Sequence, residues 1–351
     1  MQAAVIHILA LTTIVRERLM PIPGRVVVRL AQKVAAIDVI AEAEFTREHV
    51  LLDVAGILGI SSAAAELLVR CKPGEQLTKN TVVAQGDGIF PKTIRVPRPG
   101  RVVAVGGGQV LLAVDESSFE LHAGLPGLVN QIIPDRGAVI QAFGALIQGV
   151  WGNGHIGAGL MLCLAENPGY VLAPNHLDVS MRGSVILAGP CRDAKVLHAL
   201  AELPARGLIL SSISPDLIPL ALQMRYPIMV TDGFGQQPMN SSAFKILSTN
   251  NKRDVALNAE PYERYGSIRP EVVIPLPVSQ EPPISHAMET LAPGQQVRLR
   301  LDPHACQIST LVGLIPGLTT LPNGLRLPAA EVRLENGEQL IVPLVNLEVV
   351  G

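Results

Sequence analysis

A short run, Pro-Gly-Arg-Val-Val, occurs twice in this chain, at 23–27 and at 99–103. A second pair of similar segments lies between these runs, at 31–41 and 74–84. Each copy combines a turn of small residues with short stretches of β-forming residues. Two hairpin units that echo each other can pack face to face, so the repeat predicts a small β-sandwich over residues 15–115. Apolar residues at helical spacing between the copies predict a helical insertion over 49–70.

The composition is that of a folded chain with many turns. Hydrophobic residues make up 48% of the 351 residues and charged residues 17%, which excludes a disordered chain and leaves room for two to three domains. The formal net charge is −2 and aromatic residues are 3%, so we expect no nucleic-acid partner. The high apolar content predicts buried contacts with protein partners or with further copies of the chain.

The cysteines and the N-terminus point to a cytoplasmic protein. None of the four cysteines belongs to a Cys-x-x-Cys pair, so no local zinc or iron–sulfur motif is present and we predict no metal and no cofactor. The apolar N-terminal segment has no leading positive charge, and no run of 18 apolar residues occurs. We therefore expect neither a signal peptide nor membrane insertion.

The middle of the chain changes its pattern near residue 181. Residues 129–180 are rich in Gly and β-forming residues and include the Gly-rich loop 149–157. From there to residue 275, short apolar strands alternate with helical segments over 193–203, 215–224 and 240–247. This alternation predicts right-handed βαβ units and a central, mostly parallel α/β sheet.

The last part of the chain predicts a separate small β-barrel. Residues 276–293 are rich in proline and indicate a semi-rigid linker. Residues 294–351 show strand signals between turns, including two Asn-Gly pairs, and resemble an SH3-like barrel of the KOW type. The predicted domains are therefore 1–128, 129–180, 181–275 and 294–351, and the linker joins the last two.

The sequence around the second repeat carries a resemblance to a known module. Lys-Pro-Gly-Glu-Gln-Leu-Thr-Lys-Asn-Thr-Val-Val-Ala at 72–84, followed by Val-Pro-Arg-Pro-Gly-Arg-Val-Val at 96–103, resembles the barrel-sandwich hybrid. This fold occurs in biotinyl and lipoyl carrier domains and in the C subunit of Rnf-type electron-transport complexes. The order of segments is similar to that of an uncharacterised bacterial family that joins such a hybrid to an α/β domain and an SH3-like end. The resemblance implies a multidomain α/β plus β fold and no particular activity.

Lys92 is the candidate for a carrier lysine. Carrier domains of the resembled type present their modified lysine at the tip of an exposed hairpin, and Lys92 lies near that place, between the β-forming runs that end at Ala84 and begin at Val96. Phe90 and Pro91 precede it, where the carrier families have an acidic residue or a methionine. The alternative is an ordinary solvated lysine in a hairpin.

Three strand ends of the predicted α/β sheet supply a candidate ligand site. Ligands of open parallel sheets collect beyond the carboxyl ends of the strands, and here Arg192, Ser212 and Asp232 follow successive strands. Arg192 would bind an anionic group, Ser212 would donate a hydrogen bond and Asp232 would accept one. A helix N-terminus next to Cys191 would lower the pKa of its thiol. The alternative is that the polar residues at these ends are plain helix caps.

Other polar residues offer weaker sites. Asn153 and His155 in the Gly-rich loop would add contacts to an anion bound by backbone N–H groups, or belong to a structural turn. His176 and Asp178 supply two metal ligands without a third. Arg298 and Arg300 share one face of a predicted strand, where we expect them to be solvated.

These observations leave three hypotheses about function. The first is a non-catalytic scaffold or adaptor of a cytoplasmic assembly, because modules are recognisable while no catalytic constellation is. The second is a protein that binds a small molecule or an anion at the strand ends, with or without catalysis. The third is a carrier that uses Lys92.

Overall fold

The computed structural model describes residues 2–86, 91–263, 268–285, 288–300, 303–304 and 307–351. The chain is 47% strand and 14% helix. The first strands are β1 (Gln2–Ile6), β2 (Ile8–Leu19), β3 (Arg25–Val26), β4 (Lys33–Val34), β5 (Val39–Asp53), β6 (Gln76–Leu77), β7 (Val82–Gln85), β8 (Thr93–Arg95), β9 (Gly100–Gly106), β10 (Gln109–His122), β11 (Gly127–Ile133), β12 (Gly137–Gln148), β13 (Trp151–Gly152) and β14 (Ile156–Cys163).

The remaining strands belong to the second half of the chain. They are β15 (Val185–Leu187), β16 (Gly207–Ile213), β17 (Ile228–Phe234), β18 (Asp254–Asn258), β19 (Glu271–Pro275), β20 (Met288–Thr290), β21 (Gln296–Leu299), β22 (Ile308–Leu314), β23 (Thr319–Thr320), β24 (Arg326–Leu327), β25 (Ala329–Leu334), β26 (Gln339–Pro343) and β27 (Leu347–Val350). The α-helices are α1 (Val54–Leu58), α2 (Ser62–Leu68), α3 (Ala194–Glu202), α4 (Ile218–Ala221) and α5 (Ser241–Thr249).

The chain divides into two compact units. The larger unit comprises Met1–Leu19, Val28–Ile40 and His122–Gly351, and the smaller unit comprises Met20–Val27 and Ala41–Leu121. Both units are discontinuous in sequence, because the chain leaves each of them and returns. The domain boundaries predicted from the sequence stay a prediction.

An eleven-stranded sheet forms the centre of the larger unit. Its strand order is β13-β17-β16-β15-β14-β18-β19-β12-β11-β4, and β2 pairs with β12. Strands β14 to β17 pair in parallel, whereas the other pairs in this sheet are antiparallel. In sequence, α3 lies between the parallel strands β15 and β16, and α5 lies between β17 and the antiparallel strand β18. Apolar residues of both helices join the buried clusters on this sheet.

The predicted fold class with a central, mostly parallel α/β sheet is therefore wrong. The structure is mostly β, with several antiparallel and mixed sheets. The helices and strands of this region were placed within a few residues, but the alternation of strand and helix does not determine where each strand pairs. After α5 the chain crosses to β14 and pairs antiparallel with it as β18, and the long strands β2 and β12 extend the same sheet.

A seven-stranded sheet collects the C-terminal strands, in the order β20-β1-β27-β21-β22-β25-β26. It includes the N-terminal strand β1, which runs parallel to β27 and antiparallel to β20. Its apolar core contains side chains such as Val5, Val297, Leu311 and Val332. The sheet that contains the C-terminal strands thus also includes a strand from the other end of the chain.

The smaller unit contains a five-stranded sheet, β3-β5-β10-β9-β6, and a two-stranded sheet, β7-β8. The predicted helical insertion over 49–70 is only partly correct. Residues up to Asp53 continue β5, and two short helices follow, with Asp53 and Ser61 as their N-caps. Strand pairing within the sheet has overridden the helical spacing of Val50 and Leu51.

Both Pro-Gly-Arg-Val-Val runs lie in the five-stranded sheet, where Gly24 and Gly100 make the same close approach to a neighbouring strand. A Cβ atom at Gly24 would lie 2.3 Å from the Glu42 carbonyl oxygen, and one at Gly100 would lie 2.3 Å from that of Ala113. In the larger unit, a Cβ atom at Gly127 would lie 2.3 Å from the Gln141 carbonyl oxygen. Gly127 belongs to a third related run, Pro-Gly-Leu-Val at 126–129. This run is hard to recognise in the sequence because it shares only the first two residues and the valine.

The second echo, between 31–41 and 74–84, also corresponds to a repeated backbone arrangement. The Ala31 N–H donates to the Val129 carbonyl, and the Gly74 N–H donates to that of Val102, both at 2.8 Å. Both residues have positive φ, 59° at Ala31 and 89° at Gly74. The sequence echo therefore marks the same turn, used once in each unit.

Candidate functional site

The three residues predicted to share a ligand site do not converge on one open pocket. Arg192 is exposed, whereas Ser212 and Asp232 are buried. The Ser212 hydroxyl donates to the Gln237 carbonyl at 2.9 Å. Asp232 is bonded to the backbone and side chain of Asn240. The side chains of Ser212 and Asp232 thus hold the loop after β17 in place and do not face a ligand.

Backbone pairing closes the strand ends where the ligand was expected. The Gly189 N–H donates to the Tyr170 carbonyl at 3.1 Å, and the Cys191 N–H donates to the Ser212 carbonyl at 3.0 Å. A Cβ atom at Gly189 would lie 2.3 Å from the Tyr170 carbonyl oxygen, so the segment around Tyr170 lies directly on the end of β15. The proximity of the strand ends predicted a ligand site there, but the loop before β15, which contains Tyr170, occupies that place.

Cys191 is not the reactive thiol that its position suggested. It is fully buried, and burial raises the pKa of its thiol to about 11. Burial also raises the pKa of Tyr226, whose hydroxyl donates to the Leu197 carbonyl at 2.9 Å. These groups are parts of the apolar core beside α3, where an ionised thiolate would be poorly solvated.

Asp232 anchors the start of α5 to the end of β17. Its Oδ1 accepts from Asn240 Nδ2 at 2.9 Å, and its Oδ2 accepts from the Asn240 N–H at 3.1 Å and the Thr231 hydroxyl at 2.7 Å. Asn240 is also the N-cap of α5, because its Oδ1 accepts from the Ala243 N–H at 2.8 Å. Burial raises the pKa of Asp232 against the opposing effect of Arg298 and these hydrogen bonds.

Arg298 lies beneath this anchor, which corrects the expectation that it is solvated. Its side chain is 2% exposed; Nη1 donates to the Thr231 carbonyl at 3.0 Å, and Nη2 donates to Glu348 Oε2 at 2.5 Å. Arg269 also pairs with Glu348, and so does Arg300, which is 55% exposed. Although burial opposes ionisation of Glu348, the attraction of these arginines lowers its pKa below the ordinary value.

A cleft of about 450 Å³ opens on the other side of Asn240. One wall of the cleft is the loop that leads from β17 into α5. The other wall consists of the β25–β26 turn and nearby residues of the seven-stranded sheet. Its polar lining residues are Gln237, Asn240, Ser241, Gln307, Glu335 and Asn336. Its apolar lining residues are Pro238, Met239, Pro303, Ile308 and Leu334.

Hydrogen bonds fix both walls of this cleft. The Gln237 carbonyl accepts from the hydroxyls of Ser211 and Ser212 at 2.8 and 2.9 Å. On the opposite wall, Asn336 Oδ1 accepts from the Glu338 N–H at 2.9 Å. A volume of this size is in the range of small-molecule sites, and a mixture of apolar surface and a few fixed polar groups is typical of them. The arrangement can therefore bind a small ligand without rearranging its backbone.

Only part of this cleft could be predicted from the sequence. Asn240 was recognised as the start of a helix, and the Asn-Gly pair at 336–337 as a turn. Nothing in the sequence placed these two features side by side, because the contact joins segments almost one hundred residues apart. The cleft is lined by residues 237–241, which follow β17, and not by the strand ends where the ligand site was predicted.

Asn153 and His155 lie outside the lining of the cleft. Asn153 is buried, and its Nδ2 donates to the carbonyls of Ala221 and Tyr226 at 3.1 and 2.9 Å. Its Oδ1 accepts from the Ile228 N–H at 2.9 Å. The side chain therefore uses its hydrogen-bonding groups to tie the Gly-rich loop to its neighbours, which agrees with the alternative of a structural turn.

Lys92 is exposed on the β7–β8 hairpin, and its Nζ lies 3.4 Å from the Ile57 carbonyl oxygen at the end of α1. Phe90, which precedes it with Pro91, lies outside the described residues. A contact with the C-terminal end of a helix suits an ordinary lysine. The carrier hypothesis stays a prediction that the mass of Lys92-containing peptides would test.

His176 and Asp178 each have a local structural role. His176 Nδ1 lies 2.9 Å from the Tyr170 hydroxyl, and Asp178 accepts from the Ser180 N–H at 2.7 Å. In the part of the chain that the structure describes, no three His, Cys, Asp or Glu side chains are grouped to hold a metal ion. Among the same residues, no helix is both long and apolar enough to cross a membrane.

Comparison with known proteins gives no family for this chain. No family model matches the sequence, and no curated protein matches it.

Proposed function

We propose that this protein binds a small polar molecule in the cleft between the start of α5 and the β25–β26 turn. The observation that carries this proposal is the cleft itself, about 450 Å³ in volume and lined by four side-chain amides, a hydroxyl, a carboxylate and five apolar residues. The hydrogen bonds of Asp232 and of the Gln237 carbonyl hold its walls in place. A preformed site binds with a small entropic cost.

Filling the cleft tests this function. Ser241 is exposed and lines the cleft, so we expect Ser241→Trp to occupy the space without disturbing the core. Thermal shift measured with a panel of sugars, amino acids, amines, carboxylates and phosphates should find a stabilising class for the native protein. A ligand present at a hundredfold excess over its Kd adds about 2.7 kcal/mol of stability, and Ser241→Trp should lose that increment.

The matched control is Ser242→Trp. Ser242 is also exposed and is the next residue of α5, but it does not line the cleft. It should keep the ligand-induced shift. A panel in which no compound stabilises the native protein, or a shift that survives Ser241→Trp, would remove the support for a binding function at this place.

We propose a scaffold role as a second function, supported by large apolar side chains that face solvent. The clearest example is Leu67 on α2, which is 88% exposed, and Leu51 and Ile57 of the same unit are about half exposed. Large apolar side chains exposed in this way are candidates for contact with other proteins.

Replacement of Leu67 by lysine tests the scaffold role. Because Leu67 has almost no packing contacts to lose, Leu67→Lys should leave stability unchanged within about 0.5 kcal/mol. A pull-down from the native source, compared by quantitative mass spectrometry, should recover a specific partner with the native chain and much less of it with the variant. Equal recovery by both chains would argue against this surface.

A further inference from the structure

We infer that the ligand of the cleft is an amine-bearing sugar or polyol, bound as a cation. This inference rests on the proposed binding function and adds the chemical class of the ligand. It differs from the sequence-based expectation of an anion, which depended on Arg192 reaching the site.

The charges around the cleft favour a cation. Glu335 lines it and is exposed, and Glu338, in the same turn, lies 3.5 Å from Asn336 Nδ2. No lysine or arginine is among the described residues that line the cleft. Two carboxylates on one turn attract a cation at the rim and repel an anion.

The positive groups beneath the cleft are already paired. The Asn240 N–H at the start of α5 donates to Asp232, and the Asn240 side chain caps the Ala243 N–H. The Arg298 guanidinium donates to Glu348 and to the Thr231 carbonyl. The buried arginine therefore offers no free donor to an anion in the cleft, and Glu335, the charged side chain among the described lining residues, determines the preferred charge.

The remaining lining suits hydroxyl groups on a compact carbon skeleton. The amides of Gln237, Gln307 and Asn336 and the Ser241 hydroxyl combine donors with acceptors, as hydroxyl groups do. Met239 and Leu334 provide apolar surface for the C–H face of a ring. An ammonium group near Glu335 would add a charge-assisted hydrogen bond.

Three sugars of similar size and different charge test this inference by calorimetry at mildly acidic pH: D-glucosamine, D-glucose and D-glucuronate. We expect D-glucosamine to bind most tightly and D-glucuronate most weakly. Glu335→Gln keeps the shape of the side chain and removes its charge, so it should weaken D-glucosamine binding roughly tenfold and D-glucose binding much less. Glu202→Gln, an exposed change on α3 away from the lining, is the control and should change neither.

The outcomes separate this inference from the proposed function. Binding of D-glucuronate at least as tight as that of D-glucosamine, or equal D-glucosamine affinity in Glu335→Gln, would overturn the ligand class alone. The same holds if none of the three sugars binds while another compound of the panel gives a shift that Ser241→Trp removes. Failure of every sugar and every panel compound would overturn both proposals.

Discussion

Replacement of Glu348 by glutamine should destabilise the protein by about 3–5 kcal/mol, the usual cost of removing one partner from a buried ion pair. Glu348 is 5% exposed and pairs with Arg298 and Arg269, which are 2% and 6% exposed. Glutamine fills the same space but leaves both guanidinium groups in a poorly solvated site without their carboxylate. Urea unfolding followed by circular dichroism measures the free energy of unfolding.

The exposed pair between Arg25 and Glu42 is the control for this prediction. Its side chains are 77% and 42% exposed, so water solvates both charges in either state. Glu42→Gln should cost less than about 1 kcal/mol. An equally small cost for Glu348→Gln would mean that the buried arginines are solvated or paired in another way.

The pH dependence of the Glu348→Gln effect has a defined sign. The folded-state pKa of Glu348 lies below its ordinary value of 4.5, so the carboxylate contributes its full stabilisation above that pH and loses it as the pH falls through the folded-state pKa. The difference in unfolding free energy between native chain and variant should therefore be largest near neutral pH and shrink in acid. Asp232 shifts in the opposite direction, but it is present in both chains and cancels in the difference.

Local structure in the larger unit could be predicted from sequence more reliably than strand pairing. The caps Asp193 and Asn240 start α3 and α5 where their side chains predicted, because a cap depends on residues within one helical turn. The place of β18 beside β14 depends on contacts distant in sequence. No local pattern distinguishes that antiparallel position from a parallel one next to β17.

The candidate site shows the same limit. Polar residues at the ends of β16 and β17 were identified, yet Ser212 and Asp232 bond to the following loop instead of a ligand. Arg298 was expected in solvent, but it is buried against the Thr231 carbonyl. In each case burial by a segment distant in sequence decides the role, and the residue type alone is compatible with both outcomes.

The second large effect is expected from Gly100→Ala, because the added methyl group has no space. A Cβ atom there would lie 2.3 Å from the Ala113 carbonyl oxygen and 2.9 Å from Val114 Cγ1. The oxygen belongs to β10, which is paired with β9 through this stretch, so relief requires the two strands to separate. Overpacking of this kind costs roughly 1–3 kcal/mol and sometimes more.

Gly106→Ala, on the same strand, is the matched control for Gly100→Ala. A Cβ atom at Gly106 would meet nothing within 4 Å, so alanine should be neutral or should stabilise the strand by up to about 1 kcal/mol. Urea unfolding of both variants gives the comparison. Because Gly24 and Gly127 make the same 2.3 Å approach to a carbonyl oxygen, their alanine variants should be destabilised as well. A stable Gly100→Ala protein would show that the close approach of β9 and β10 is not required, and the repeated Pro-Gly runs would then need another physical reason.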